Sequence, residues 1–197
     1  MGSQRKTGAV LGYANILAKN LVNLVYTPML LAFIGQADYG VFQTANSFVF
    51  SLSLLTFGLS GAYVRFYTQR EVNGTAGDIR KLNGLYLVMY AVVCALALTL
   101  GLVFAANVGT LFSASFTAGQ IELAGSLMAV MSVNVSLTLF STVFDSYILA
   151  RERLVFQQSR QLLTSLLTPV LAYLLLLAGM GAVGVAVAQL AVTNVFH

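Results

Sequence analysis

The sequence predicts an all-α fold: a multi-pass transmembrane helical bundle of about six helices. Three observations predict it. The 197 residues are 58% hydrophobic and only 8% charged, with mean hydropathy +0.86, where a soluble domain carries about 25% charged residues. The apolar residues come in continuous runs of roughly 20 or more, not in the short alternating segments of a barrel. Nine of the ten Lys and Arg residues lie before the first span or beside the second and fourth connections, the charge pattern of a chain that threads a bilayer repeatedly.

The first span covers residues 10–34. Its core, residues 11–34, has 24 residues, which at ~1.5 Å each reach ~36 Å, enough for a hydrocarbon layer of about 30 Å. Gly35-Gln36-Ala37-Asp38 makes a tight connection to span two, residues 39–66. A polar segment, 67–82, carries Arg70, Glu71, Asp78, Arg80 and Lys81. Span three is 83–106, and 107–120 is a loop without basic residues. Span four, 121–150, is long enough to tilt. Arg151-Glu152-Arg153 leads to span five, 154–178, and Gly179-Met180-Gly181 turns the chain into span six, 182–197. Span six is short of the ~20 residues of a full crossing, so the chain is expected to be the amino-terminal part of something longer.

Arg5 and Lys6 precede span one, Arg65, Arg70, Arg80 and Lys81 surround the second connection, and Arg151, Arg153 and Arg160 surround the fourth. Basic residues stay on the cytoplasmic side, which predicts a cytoplasmic amino terminus. The residue outside this pattern is Lys19. An ammonium at the centre of a span costs about 2.5–3.5 kcal/mol on insertion scales, so it should face a bundle interior or a watery cavity. At ~100° per residue, Asn15, Lys19, Asn23 and Tyr26 share one sector of roughly 80°.

Other polar groups are candidates for a cavity lining. Gln43, Asn46 and Ser47 lie on one face of span two, where hydrogen-bonding groups suit a sugar or a helix contact. Asn134, Thr138, Ser141 and Asp145 make a stripe on span four. Asp145 can relay a proton or pair with Arg65 or Arg151. Pro28 and Pro169 lie inside spans and should bend them. Gly58 and Gly61, after Phe57, offer a small-residue patch for close helix packing, as do Gly179, Gly181 and Gly184. The lone cysteine, Cys94, and the lone histidine, His197, leave no metal spacing or disulfide to build. No nucleophile triad or phosphate-binding glycine loop is present either. An enzyme and a cofactor are therefore not expected.

The stretch 24–70 carries a more specific pattern. Tyr26-Thr27-Pro28 is followed by Ile34-Gly35-Gln36-Ala37-Asp38-Tyr39-Gly40-Val41-Phe42, then by Phe57-Gly58-Leu59-Ser60-Gly61-Ala62-Tyr63-Val64-Arg65-Phe66. This resembles the amino-terminal part of bacterial polysaccharide or oligosaccharide flippases, in the superfamily that includes multidrug and toxic-compound extruders and lipid II flippases. The resemblance implies roughly 12–14 helices in two similar lobes around a central cavity, in the bacterial inner membrane. It implies transport of a polyprenyl-pyrophosphate-linked glycan by alternating access. The chain holds about one lobe, so its partner would be a second lobe in cis or a second copy. The cationic cavity positions map onto Lys19 and Arg65, with Asn15, Asn23, Tyr26, Gln43 and Asn46 as polar lining and Asp145 for ion or proton coupling. A buried ammonium and a phosphate make a strong charge-assisted contact. The rival expectations are a cation extruder of the same superfamily, which wants an intramembrane acid; a membrane-embedded transferase, which needs a set of acids or histidines; and a non-transporting scaffold.

Overall fold

The structure, a computed structural model, describes residues 2–56, 58–151 and 153–196. Phe57 of the small-residue patch, Glu152 of the fourth connection and His197 lie outside the described residues. The element order is α1 (Gly2–Ser51), a 3-10 turn (Leu52–Thr56), α2 (Leu59–Asn73), α3 (Ala76–Ala106), α4 (Val108–Leu111), α5 (Ala118–Ala150), α6 (Leu154–Leu177) and α7 (Gly181–Phe196). There is no strand among the described residues.

α1 is two helices joined at one residue. Gly35 has φ 78° and ψ 163°, a conformation that glycine adopts without the penalty a Cβ brings. Inter-helix contacts show that the chain reverses there. Asn15 meets Gln158 and Phe33 meets Tyr173, so residues 2–34 run parallel to α6. Phe48 meets Phe104 and Tyr63 meets Asn83, so residues 36–56 and 58–73 run antiparallel to α3. α5 also runs antiparallel to α3, because Gly125 faces Ala105 while Gly101 faces Ser132. α6 then folds back on α5. The connection expected over residues 35–38 is therefore made by Gly35 alone, and Gln36 to Asp38 are already helical.

The second expected span, 39–66, is not one helix. It breaks at the 3-10 turn and restarts after Gly58, which sits at φ 82° as the N-cap of α2. This corrects the role read for Gly58 and Gly61. Nothing lies within 4 Å of a Cβ built at either, so neither brings helices close together; Gly58 serves the backbone turn. Gly179 and Gly181 likewise hold positive φ at the α6–α7 turn. Close packing falls to Gly184, as expected, where a Cβ would lie 2.8 Å from Met180 Cβ and 3.2 Å from Leu175 Cβ on α6, and to Gly101, where it would overlap the Ser132 side chain. α3 and α5 each begin with a reciprocal capping box, Thr75 with Asp78 and Thr117 with Gln120, which satisfies orphan N–H groups at both starts.

Four described segments are long and apolar enough to cross a membrane: Val10–Asn73, Ala76–Ala106, Ala118–Ala150 and Val155–Leu177. Gly181–Phe196 is apolar but shorter. The first holds 64 residues, ~96 Å if straight, and its fold at Gly35 makes two passes of it. α5 is the hub and packs against every other element. One core cluster, including Val41, Phe42, Leu127, Met128 and Val185, joins α1, α5 and α7. A second, built on Tyr63, Tyr67, Tyr86 and Tyr90, joins α2 and α3 near the end of α5. The outside is apolar too: Leu24 is 74% and Val170 57% exposed. Such a continuous oily surface suits lipid and not water. The molecule is an all-helical bundle of membrane type.

Candidate functional site

The bundle's contacts collect the second connection, the fourth connection and the start of α1 at one end. At that end Arg151 lies 5.7 Å over Tyr67 and 5.5 Å over Tyr147 and pairs with Glu71 at 3.6 Å. A hydrogen bond with Tyr147 raises the pKa of its guanidinium further. The opposite end carries Gly35, the 107–117 loop and the α6–α7 turn.

Starting from the first end, a polar groove runs between the first arm of α1, α6 and α5. Its larger part is a cavity of about 570 Å³ lined by Gly12, Tyr13, Asn15, Ile16, Lys19, Gln158, Gln161 and Ser165. Asn15 is only 6% exposed, and its Nδ2 donates to the Gln158 carbonyl at 2.8 Å and to Gln158 Oε1 at 2.9 Å. It clamps α1 to α6 and forms the cavity floor. One turn further, Lys19 is exposed into the cavity. No ion pair or hydrogen bond joins its ammonium to another described residue.

The second part, about 320 Å³, is lined by Asp145, Gln157, Arg160, Gln161, Thr164, Ser165 and Thr168. Gln161 and Ser165 line both parts, so the two are neighbours on one helix. Arg160 Nη2 donates to Asp145 Oδ1, and their side chains are only 14% and 20% exposed. This replaces the expected partners of Asp145: Arg65 stands exposed on α2 and lines neither cavity, and Arg151 is taken by Glu71. Among the described residues lining the groove, the charges are Lys19, Arg160 and Asp145, one net positive.

The other expected lining residues separate. Asn23 is exposed on α1 and Tyr26 is half-buried against the main core; neither lines the groove. Tyr26 Oη is buried with no hydrogen-bond partner. Gln43 and Ser47 line a third cavity of about 500 Å³ with Thr44, Phe48, Ser51 and Phe112, toward the opposite end. Asn46 is exposed outside it. On α5, Thr138 donates to the Asn134 carbonyl at 2.9 Å, so its hydroxyl serves its own helix; Ser141 is half-buried.

The stripe that sequence reasoning missed is on α6. Gln157, Gln161, Thr164 and Thr168 recur at helical spacing, with Gln158 and Ser165 on one flank and Arg160 on the other. The signal was present in the i, i+4, i+7, i+11 pattern; counted only by hydropathy, the helix reads as one more apolar span. The described residues contain no group of three or more His, Cys, Asp or Glu that could hold a metal. Chemically, the groove offers an ammonium and three glutamine amides as donors to phosphate oxygens, and the hydroxyl oxygens of Thr164, Ser165 and Thr168, which donate to carbonyls of their own helix, as acceptors for sugar hydroxyls. No family model, curated protein or solved structure matches the chain.

Proposed function

We propose that the chain is one lobe of a membrane transporter that moves an anionic, hydroxyl-rich amphiphile, a polyprenyl-pyrophosphate-linked glycan, by alternating access. One observation carries the reading: Lys19 lines a cavity of about 570 Å³ together with Asn15, Gln158, Gln161 and Ser165, with no described carboxylate bound to it. A charge kept inside an apolar helix without an internal partner is a binding-site hypothesis by default, and its ligand should be an anion. The amides and hydroxyls around it supply the donors and acceptors that sugars need. The flippase-like motifs between residues 24 and 70 support the same class. Lys19 is exposed, so the groove is one wall of the cavity, and a second lobe in cis or a second copy supplies the other. The basic end would face the cytoplasm of a bacterial cell, by the positive-inside rule.

The test is transport of a lipid-linked glycan in proteoliposomes, run beside transport of an organic cation. Lys19→Ala should cut glycan transport at least tenfold at matched protein levels and leave insertion intact, since a charge-assisted contact contributes about 1.5–3 kcal/mol. Undiminished glycan transport by the variant would remove Lys19 from the site. Transport of the cation alone would assign the protein to the extruder class.

A further inference from the structure

Arg160 has a second use that its pairing with Asp145 conceals. Its position, seven residues into α6, reads in the sequence as one more basic anchor. In the structure it is largely buried and lines the groove instead. On α6 it sits roughly 100° to one side of Gln161, while Gln158 lies about 60° to the other side, against α1. The polar face of α6 is thus bracketed by two cations, Lys19 on α1 and its own Arg160, with Gln161 and Ser165 shared between their cavities.

We propose that Arg160 is a second anion-binding residue of the groove, and that Asp145 occupies it while no ligand is bound. The proposal rests on the reading of the groove as an anionic-headgroup site and specifies the headgroup: one with more than one anionic group, gripped at two points. The physical case has three parts. A guanidinium alone in a low-dielectric site is costly, and a carboxylate partner offsets that cost until a ligand arrives. A guanidinium presents five N–H donors in a planar fork. Among the described residues it makes one side-chain hydrogen bond, from Nη2 to Asp145, so a phosphate oxygen can be added at its remaining donors. Lastly, Gln157 lines the same cavity, where its amide can donate to an Asp145 carboxylate that turns away from the arginine.

The experiment measures binding of farnesyl diphosphate and farnesyl monophosphate to the chain in lipid nanodiscs by calorimetry. Wild type should bind the diphosphate more tightly than the monophosphate. Asp145→Asn removes the competing negative charge and should tighten diphosphate binding by about 3–10-fold. Arg160→Gln should weaken it by roughly tenfold and erase the preference for two phosphates. Because Arg160→Gln takes the guanidinium away from a largely buried carboxylate, the double variant Asp145→Asn, Arg160→Gln serves as the folded control. It should lose the preference while keeping binding that depends on Lys19. An unchanged diphosphate preference in the double variant, or weaker binding in Asp145→Asn, overturns the proposal. If Lys19→Gln leaves wild-type binding untouched, the groove reading itself fails, an outcome distinct from failure at Arg160 alone.

Discussion

Asn15 and Lys19 stand one turn apart on the same helix and do different work. Asn15 is spent on architecture: its amide bridges two acceptors of Gln158. Asn15→Ala should lower stability by about 1–3 kcal/mol, because buried acceptors lose their donor. A thermal unfolding series in detergent checks this, and an unchanged midpoint would show that the clamp carries no weight. Lys19 contributes nothing of the kind, so Lys19→Gln should leave the midpoint in place while it weakens anion binding. At this scale the sequence was informative about Lys19, because it is the one basic residue that breaks the sided pattern. It was uninformative about Gln43 and Asn46. Periodicity tells which face of a helix a residue occupies, but not which neighbour fills that face. The turn at Gly35 sends Gln43 toward the end of the bundle opposite the start of the groove.

Among elements, the long apolar helices were legible because hydropathy over some 20 residues leaves few alternatives. The break between α1 and α2 was not. Leu52 to Thr56 is as apolar as the helices around it, and only the positive φ of Gly58 marks the restart. Gly35 makes the stronger turn, and Gly35→Ala should cost about 1–2 kcal/mol through its left-handed φ. At Gly101 the constraint is space: Gly101→Val must push apart α3 and α5 at Ser132, and overpacking there should cost about 1–3 kcal/mol. The same unfolding series distinguishes them from Gly84→Ala, where nothing lies within 4 Å of the new Cβ and stability should not fall. The α6 stripe was written in the sequence as well, but glutamine, threonine and serine lower the mean hydropathy of a span only slightly, so an average hides what the spacing reveals.

For the whole molecule, the separation of basic and non-basic ends predicts its orientation. In a Cys94→Ala background, Ser113→Cys should react with a membrane-impermeant thiol reagent added outside intact cells, and Asn73→Cys should not. The reverse pattern would turn the bundle over and place the mouth of the groove on the other side. The oily exterior, Leu24 and Val170 included, gives the bundle its place in lipid; the groove is a polar path cut along it from that end.

The most direct test of the central claim is the water access of position 19. Lys19→Cys in the Cys94→Ala background, in lipid nanodiscs, should react readily with a charged thiol reagent that does not enter hydrocarbon. Leu24→Cys, on the oily side of the same helix, should stay unmodified. A Lys19→Cys thiol as inert as that of Leu24→Cys would contradict a wet groove beside α6.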